Sequence, residues 1–136
     1  MAIMFATDEW AKALQIELNG SDAYRKAAAK WEGDFYFVVK KGDGVPEDVY
    51  MYLDLWHGEA RDAYLEADPG SKKPAFSLRA PLEIWQGVLE KKIDPIRGIM
   101  TKQLKLKGNM MKIMKAPKAA TELVACAASV DTEWPA

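Results

Sequence analysis

Residues 49–56 read VYMYLDLW, and no other stretch limits the possible folds as much. In an extended chain Val49, Met51, Leu53 and Leu55 fall on one side and Tyr50, Tyr52, Asp54 and Trp56 on the other, whereas a helix would scatter both sets around its circumference. A strand with one apolar face needs neighbouring strands for its backbone and a second layer for that face. The sequence offers both on either side. FYFVVK (35–40) is β-branched and aromatic, and KGDGVPED provides the turn that follows it. His57-Gly58-Glu59 makes a tight connection to ARDAYLEA (60–67). Three strands at this spacing predict an antiparallel meander.

The covering layer is written in helical periodicity. Thr7 before Asp8-Glu9 reads as an N-cap with acids in the first turn, and Trp10, Leu14 and Leu18 then follow four residues apart. Asn19-Gly20 ends that helix, and Ser21-Asp22 caps a second one expected to carry Tyr24, Ala27, Ala28 and Trp31. Beyond the DPGSKKP loop, FSLRA (76–80) is a short strand, and Pro81 opens a helix as its first residue, with Leu82, Trp85, Val88 and Leu89 on one side. Asp94-Pro95 starts another short helix. KQLKLKG (102–108) alternates again, with Leu104 and Leu106 turned inward. Pro117 separates a methionine-rich helix from a last one whose stripe is Ala120, Leu123, Val124 and Ala127. The order of elements is α+β: one sheet with helices packed on a face. With no repeat or linker in its 136 residues, the chain reads as one domain, 1–136.

Charge is divided unevenly. Residues 1–68 hold 14 acids and 7 bases, and residues 69–136 hold 6 acids and 12 bases. Nine of those bases lie between Lys91 and Lys118 against one acid, Asp94. Such a region attracts an anionic ligand or membrane surface, although solvated faces of helices and strands account for lysines just as simply. The pI of about 5.9 and the absence of an aromatic RNA-binding strand motif argue against nucleic acid. MAIMFAT lacks the basic start and long apolar run of a secretion signal, and one cysteine allows no internal disulfide, so a cytoplasmic protein is expected.

Catalytic and metal-binding patterns are absent. His57 is the single histidine, placed at a strand turn with no Cys or His partner at ligand spacing, so neither metal nor cofactor is expected. Cys126 sits among alanines on an apolar helix side, as a buried inert thiol would. Neither G-x-G-x-x-G nor G-x-x-x-x-G-K-[ST] occurs. The oily cluster Met110, Met111, Ile113 and Met114 has two readings: methionine fills irregular gaps in cores, and it also lines sites that accept varied apolar ligands.

The segment KQLKLKGNMMKIMKAPKAATELV resembles the signature of the sterol carrier protein-2 family, in which a short strand of type G-x-L-K-I-x-G-D/N runs into a Met-, Ala- and Leu-rich helix and then a last helix. The upstream helical arm, FYFVV, VYMYLDLW, ARDAYLEA and FSLRAPLEIWQGVLEKKIDPIRGIM agree in order, so the resemblance covers nearly the whole chain and is most specific over 76–124. Two departures stand out. Asn109 occupies the position of a capping Asp, and Gly98-Ile99-Met100-Thr101-Lys102 replaces the family's small Gly-x-x element. The chain ends Glu133-Trp134-Pro135-Ala136, without an S-K-L peroxisomal address.

This resemblance implies a five-stranded, mainly antiparallel sheet covered on one face by helices around an apolar tunnel. It also implies non-covalent binding of fatty acid, acyl-CoA, phospholipid or sterol-like lipid without catalysis. The side chains it would place along the tunnel are Phe76, Leu78, Trp85, Leu89, Ile99 and Met100, followed by Leu104, Leu106, Met110, Met111, Met114 and Leu123. Lys102, Lys105, Lys112 and Lys115 would meet an anionic head group or an anionic membrane. A monomer or weak dimer is expected. The rival reading is an enzyme or enzyme accessory acting on acyl-CoA or similar apolar substrates through His57 or a sheet carboxylate.

Overall fold

The computed structural model describes residues 2–135. In chain order its elements are β1 (Ile3–Met4), α1 (Asp8–Asn19), α2 (Asp22–Ala27), β2 (Glu32–Lys40), β3 (Val49–Trp56), β4 (Glu59–Glu66), β5 (Phe76–Pro81), α3 (Leu82–Leu89), α4 (Pro95–Met100), β6 (Lys105–Lys107), α5 (Met110–Met114), α6 (Pro117–Ser129) and β7 (Thr132–Glu133). The main sheet has five strands in the order β4-β3-β2-β5-β6. The meander β2-β3-β4 is antiparallel, β5 runs parallel to β2, and β6 closes the edge antiparallel to β5. This is the α+β architecture of a mainly antiparallel sheet with helices.

The helix starts follow the local chemistry of the sequence. The backbone N–H groups of Trp10, Tyr24, Arg97 and Lys112 donate to the side chains of Thr7, Ser21, Asp94 and Asn109, satisfying donors that a helix N-terminus leaves open. Asn109 thus fills the capping position itself. Other elements differ from expectation. Strand β2 begins at Glu32 rather than Phe35, and α2 ends at Ala27, so Trp31 lies in the connection to β2. Pro81 closes β5 and caps α3 from outside the helix, because its extended ψ of 164° continues the strand. Strand β6 keeps only three paired residues. The parallel pair β1–β7 joins the two ends of the chain, with Phe5 packed between Trp10 and Trp134 at ring-centroid distances of 4.8 and 4.7 Å.

The sheet buries two separate sets of side chains. On the helix-covered face, Phe35, Phe37, Met51, Leu53, Leu55 and Leu78 join α1, α3 and α6 in the main core. On the opposite face Tyr36, Val38 and Tyr52 form a smaller cluster with Tyr50 and Tyr64 packed against it. At the β3–β4 turn, Gly58 (φ +82°) comes so close to α2 that an added Cβ would stand 2.7 Å from the Arg25 carbonyl oxygen.

Candidate functional site

The inner face of the sheet does not meet its helical cover everywhere. Between them lies a cavity of about 100 Å³ whose wall includes Phe35 and Phe37 of β2, Met51 and Leu55 of β3, Trp85 of α3 and Leu123 of α6. Aromatic side chains supply much of this wall, and their indole N–H groups are turned away from the space. The Nε1–H of Trp31 donates to the Gly33 carbonyl, that of Trp85 to the Val38 carbonyl and that of Trp10 to Thr132 Oγ1, each at 3.0 Å. A buried indole N–H left without a partner would be costly, so these bonds fix the ring planes and leave carbon facing inward. The cover then determines how much room remains. Helix α6 lines the cavity with Ala119, Ala120, Leu123, Val124 and Ala127, with Ala116 just ahead of it, and the short alanine side chains fill less of the space than larger ones would.

Six of the twelve residues put forward from the sequence meet at this wall: Leu78, Trp85, Leu89, Ile99, Leu104 and Leu123. The other six lie elsewhere, for identifiable reasons. The Phe76 ring is clamped between Gly33 and Gly108, where an added Cβ would come within 2.7 and 2.8 Å of it, so it packs on Trp31 and Phe35 instead. Leu106 is half-buried on the short edge strand, and Met114 is half-buried against the core. Met100, the last residue of α4, is 66% exposed, and Met110 and Met111 are 45% and 64% exposed. A five-residue helix has room for one inward position, and in α5 Ile113 takes it. The cluster therefore divides: Ile113 is cavity wall and two of its methionines face water.

Several wall residues went unnamed at the sequence level. Trp10 and Leu14 come from α1, Tyr24 from α2, and Phe35, Phe37 and Met51 from the sheet. Met51 was legible in the alternation of β3, whereas β2 was read only as a β-branched and aromatic strand. Those from α1 and α2 were read only as packing stripes, because periodicity gives a buried face without saying what it faces.

Ionisable groups of the charged residue types stand outside the cavity. His57 is about half exposed, paired with Glu32 at 2.6 Å and stacked on Trp56, and it is not part of the wall. Burial pushes the Cys126 thiol up from its ordinary value, which disfavours the thiolate. Burial likewise raises the Tyr24 phenol, with the nearby Cys126 adding to the effect, so this hydroxyl stays protonated. Among the described residues no three His, Cys, Asp or Glu side chains gather as a metal would require, and no helix is long and apolar enough to cross a membrane. Outside the cavity rim, Lys102, Lys105, Lys107, Lys115 and Lys118 are exposed and make no ion pair among the described residues. Lys112 is engaged: its Nζ donates to the Glu32 carbonyl and lies 5.2 Å from the Trp31 ring centroid.

A sheet with one helix-covered face and an apolar, aromatic-walled cavity fits a protein of the apolar-ligand-binding class. Comparison with known proteins gives the family. The profile of the SCP-2 sterol transfer family matches residues 11–120, and the chain belongs to that family. Similar solved structures include a crystal structure of sterol carrier protein 2, 37% identical, covering 93% of this chain and 98% of that one with a TM-score of 0.83. A conserved hypothetical protein from Thermus thermophilus, known from its solution structure, is 36% identical, covers 98% of this chain and 94% of that one, and has a TM-score of 0.83. The apo form of sterol carrier protein 2 from Yarrowia lipolytica shares the fold at 22% identity over 87% of this chain and 88% of that one, with a TM-score of 0.59. No curated protein matched.

Proposed function

We propose that the chain acts as a single lipid-binding domain that takes up an apolar ligand between sheet and helices and carries or presents it without chemical change. The observation behind this reading is the cavity: it is walled by carbon, with the tryptophan N–H groups tied off and no lysine, arginine, histidine or carboxylate along it. Burial of a hydrocarbon chain contributes about 0.8 kcal/mol per methylene, so a chain of about ten methylenes outweighs the cost of fixing the ligand.

About 100 Å³ is smaller than an engineered cavity of about 150 Å³ that admits benzene. A fatty chain therefore enters by pushing the cover outward. The elements suited to yield are α4 and α5, of six and five residues, which bury only Gly98 and Ile99 and only Ile113. Met100, Met110 and Met111 of these two helices are exposed, and exposed lysines (Lys102, Lys105, Lys107, Lys112 and Lys115) flank them in sequence. Such a surface suits transient contact with an anionic membrane, from which a ligand would be collected in a cytoplasmic setting.

Two measurements test the proposal. Native mass spectrometry of the purified protein should show a bound lipid, or the empty chain should take up a fluorescent fatty acid; an empty chain that takes up none overturns the binding reading. Co-sedimentation should favour vesicles containing phosphatidylglycerol over pure phosphatidylcholine and weaken with added salt. Equal binding to both vesicles removes the membrane part alone.

A further inference from the structure

The cavity wall itself holds no cation, but one cation stands against it. Lys112 immediately precedes the wall residue Ile113 in α5, and its Nζ lies 5.2 Å from the ring centroid of Trp31, another wall residue. Among the described residues no other lysine or arginine sits over a ring of the wall. Arg61, Lys72 and Arg79 lie over Trp56, Tyr52 and Tyr50, none of which lines the cavity. Sheet geometry removes two further lysines. Leu78 lines the cavity and pairs with Leu106, so strand alternation turns Lys105 and Lys107 to the opposite face.

What holds Lys112 is neutral. Its Nζ donates to the Glu32 backbone carbonyl and lies 5.2 and 5.8 Å from the Trp31 and Phe76 ring centroids. The Glu32 carboxylate turns instead to His57, at 2.6 Å. No carboxylate pairs with Lys112 among the described residues. A carbonyl dipole and ring faces answer a full positive charge less completely than an anion does.

We propose that Lys112 is the head-group residue of the cavity: its ammonium exchanges the Glu32 carbonyl for the ionised carboxylate of a fatty-acid-like ligand whose chain lies within the wall. This deepens the lipid-binding reading and rests on it. A single carboxylate is specified because one cation answers one charge, whereas a phosphate monoester carries nearly two. Lys112 is exposed, so the carboxylate stays at the edge of the wall, keeps part of its hydration and avoids the cost of burying a charge. The same exchange unties α5 from the start of β2, leaving Ile113 as the one side chain that α5 buries.

The test competes dodecanoate and 1-dodecanol against Nile red, a neutral apolar dye, at about pH 8 in wild type, Lys112→Met and Lys115→Met. Methionine keeps an apolar stem and removes the charge. Lys112→Met should weaken dodecanoate about three- to tenfold, the effect of one partly exposed charge pair, and leave 1-dodecanol within about twofold. Lys115→Met removes an exposed lysine at the end of the same helix and should leave both ligands within about twofold. Unchanged dodecanoate affinity in Lys112→Met, or an equal loss for 1-dodecanol, would overturn the proposal. An equal loss of dodecanoate in Lys115→Met would also overturn it, by showing only the summed field of the surface lysines. So would a wild type that binds 1-dodecanol but not dodecanoate. Failure of wild type to bind either compound would instead bring down the lipid-binding reading, and this inference with it.

Discussion

Both faces of the sheet are aromatic, yet only one borders the cavity. The inner face carries Phe35, Phe37, Met51 and Leu55, covered by helices of which α6 lines the cavity with three alanines beside Leu123 and Val124. Short side chains along part of that cover leave room for a gap. The outer face carries Tyr36, Tyr50, Tyr52 and Tyr64, with ring centroids of neighbours 5.1 to 6.0 Å apart. Long flexible cations settle on these rings, Lys72 Nζ at 4.9 Å from the Tyr52 centroid and Arg79 at 5.9 Å from that of Tyr50. The phenol tips of Tyr52 and Tyr50 end in charged partners, Asp34 and Arg79. Aromatic residues alone thus do not make a cavity; the reach of what covers them decides.

Substitutions on the two faces should separate these roles. Trp85→Ala removes a wall of the cavity and leaves the Val38 carbonyl without its donor, so unfolding in urea should show a loss of about 3–5 kcal/mol. Ala120→Phe fills the gap from the helix side. It should reduce fatty-acid probe uptake at least about tenfold, while overpacking costs about 1–3 kcal/mol of stability. On the outer face, Tyr52→Phe loses its bond to Asp34 and should cost about 1 kcal/mol, with probe uptake unchanged; reduced uptake would mean that the faces are coupled.

The smallest effect concerns pH. The Lys41 N–H and the Arg79 guanidinium hold the Asp48 carboxyl below its ordinary range, Lys41 contributing most. Because the folded carboxyl binds its proton less tightly than the unfolded one, its stabilisation is complete above the ordinary carboxylate range and is lost as pH falls through the folded value. Denaturation measured from pH 7 down to pH 3 should therefore show a shallower acid decline for Asp48→Asn, with lipid uptake at neutral pH unaltered.

Much of this fold was legible because it rests on local chemistry. The caps at Thr7, Ser21, Asp94 and Asn109 satisfy donors three residues away, and the VYMYLDLW strand has the expected bounds of 49–56. The limits were set by partners that periodicity does not register. Trp31 fits a helical stripe, yet its backbone N–H bonds to the Ala28 carbonyl outside α2 and its indole to Gly33, at the start of a strand. The pair β1–β7 joins two-residue segments at opposite ends of the chain, each too short to carry a pattern.

The candidate site divides in the same way. That the 102–124 region is oily and basic is a property of its residues, and so is the presence of Leu104, Ile113 and Leu123 on apolar faces. Which methionines face water was decided by the length of α5, and the contribution of α1, α2 and β2 to the wall by the placing of helices over the sheet. Periodicity fixes the direction of a side chain relative to its own element. Whether that direction ends in packed neighbours, in solvent or in a cavity depends on a second element brought up by folding, and the volume left between the two belongs to neither sequence segment alone.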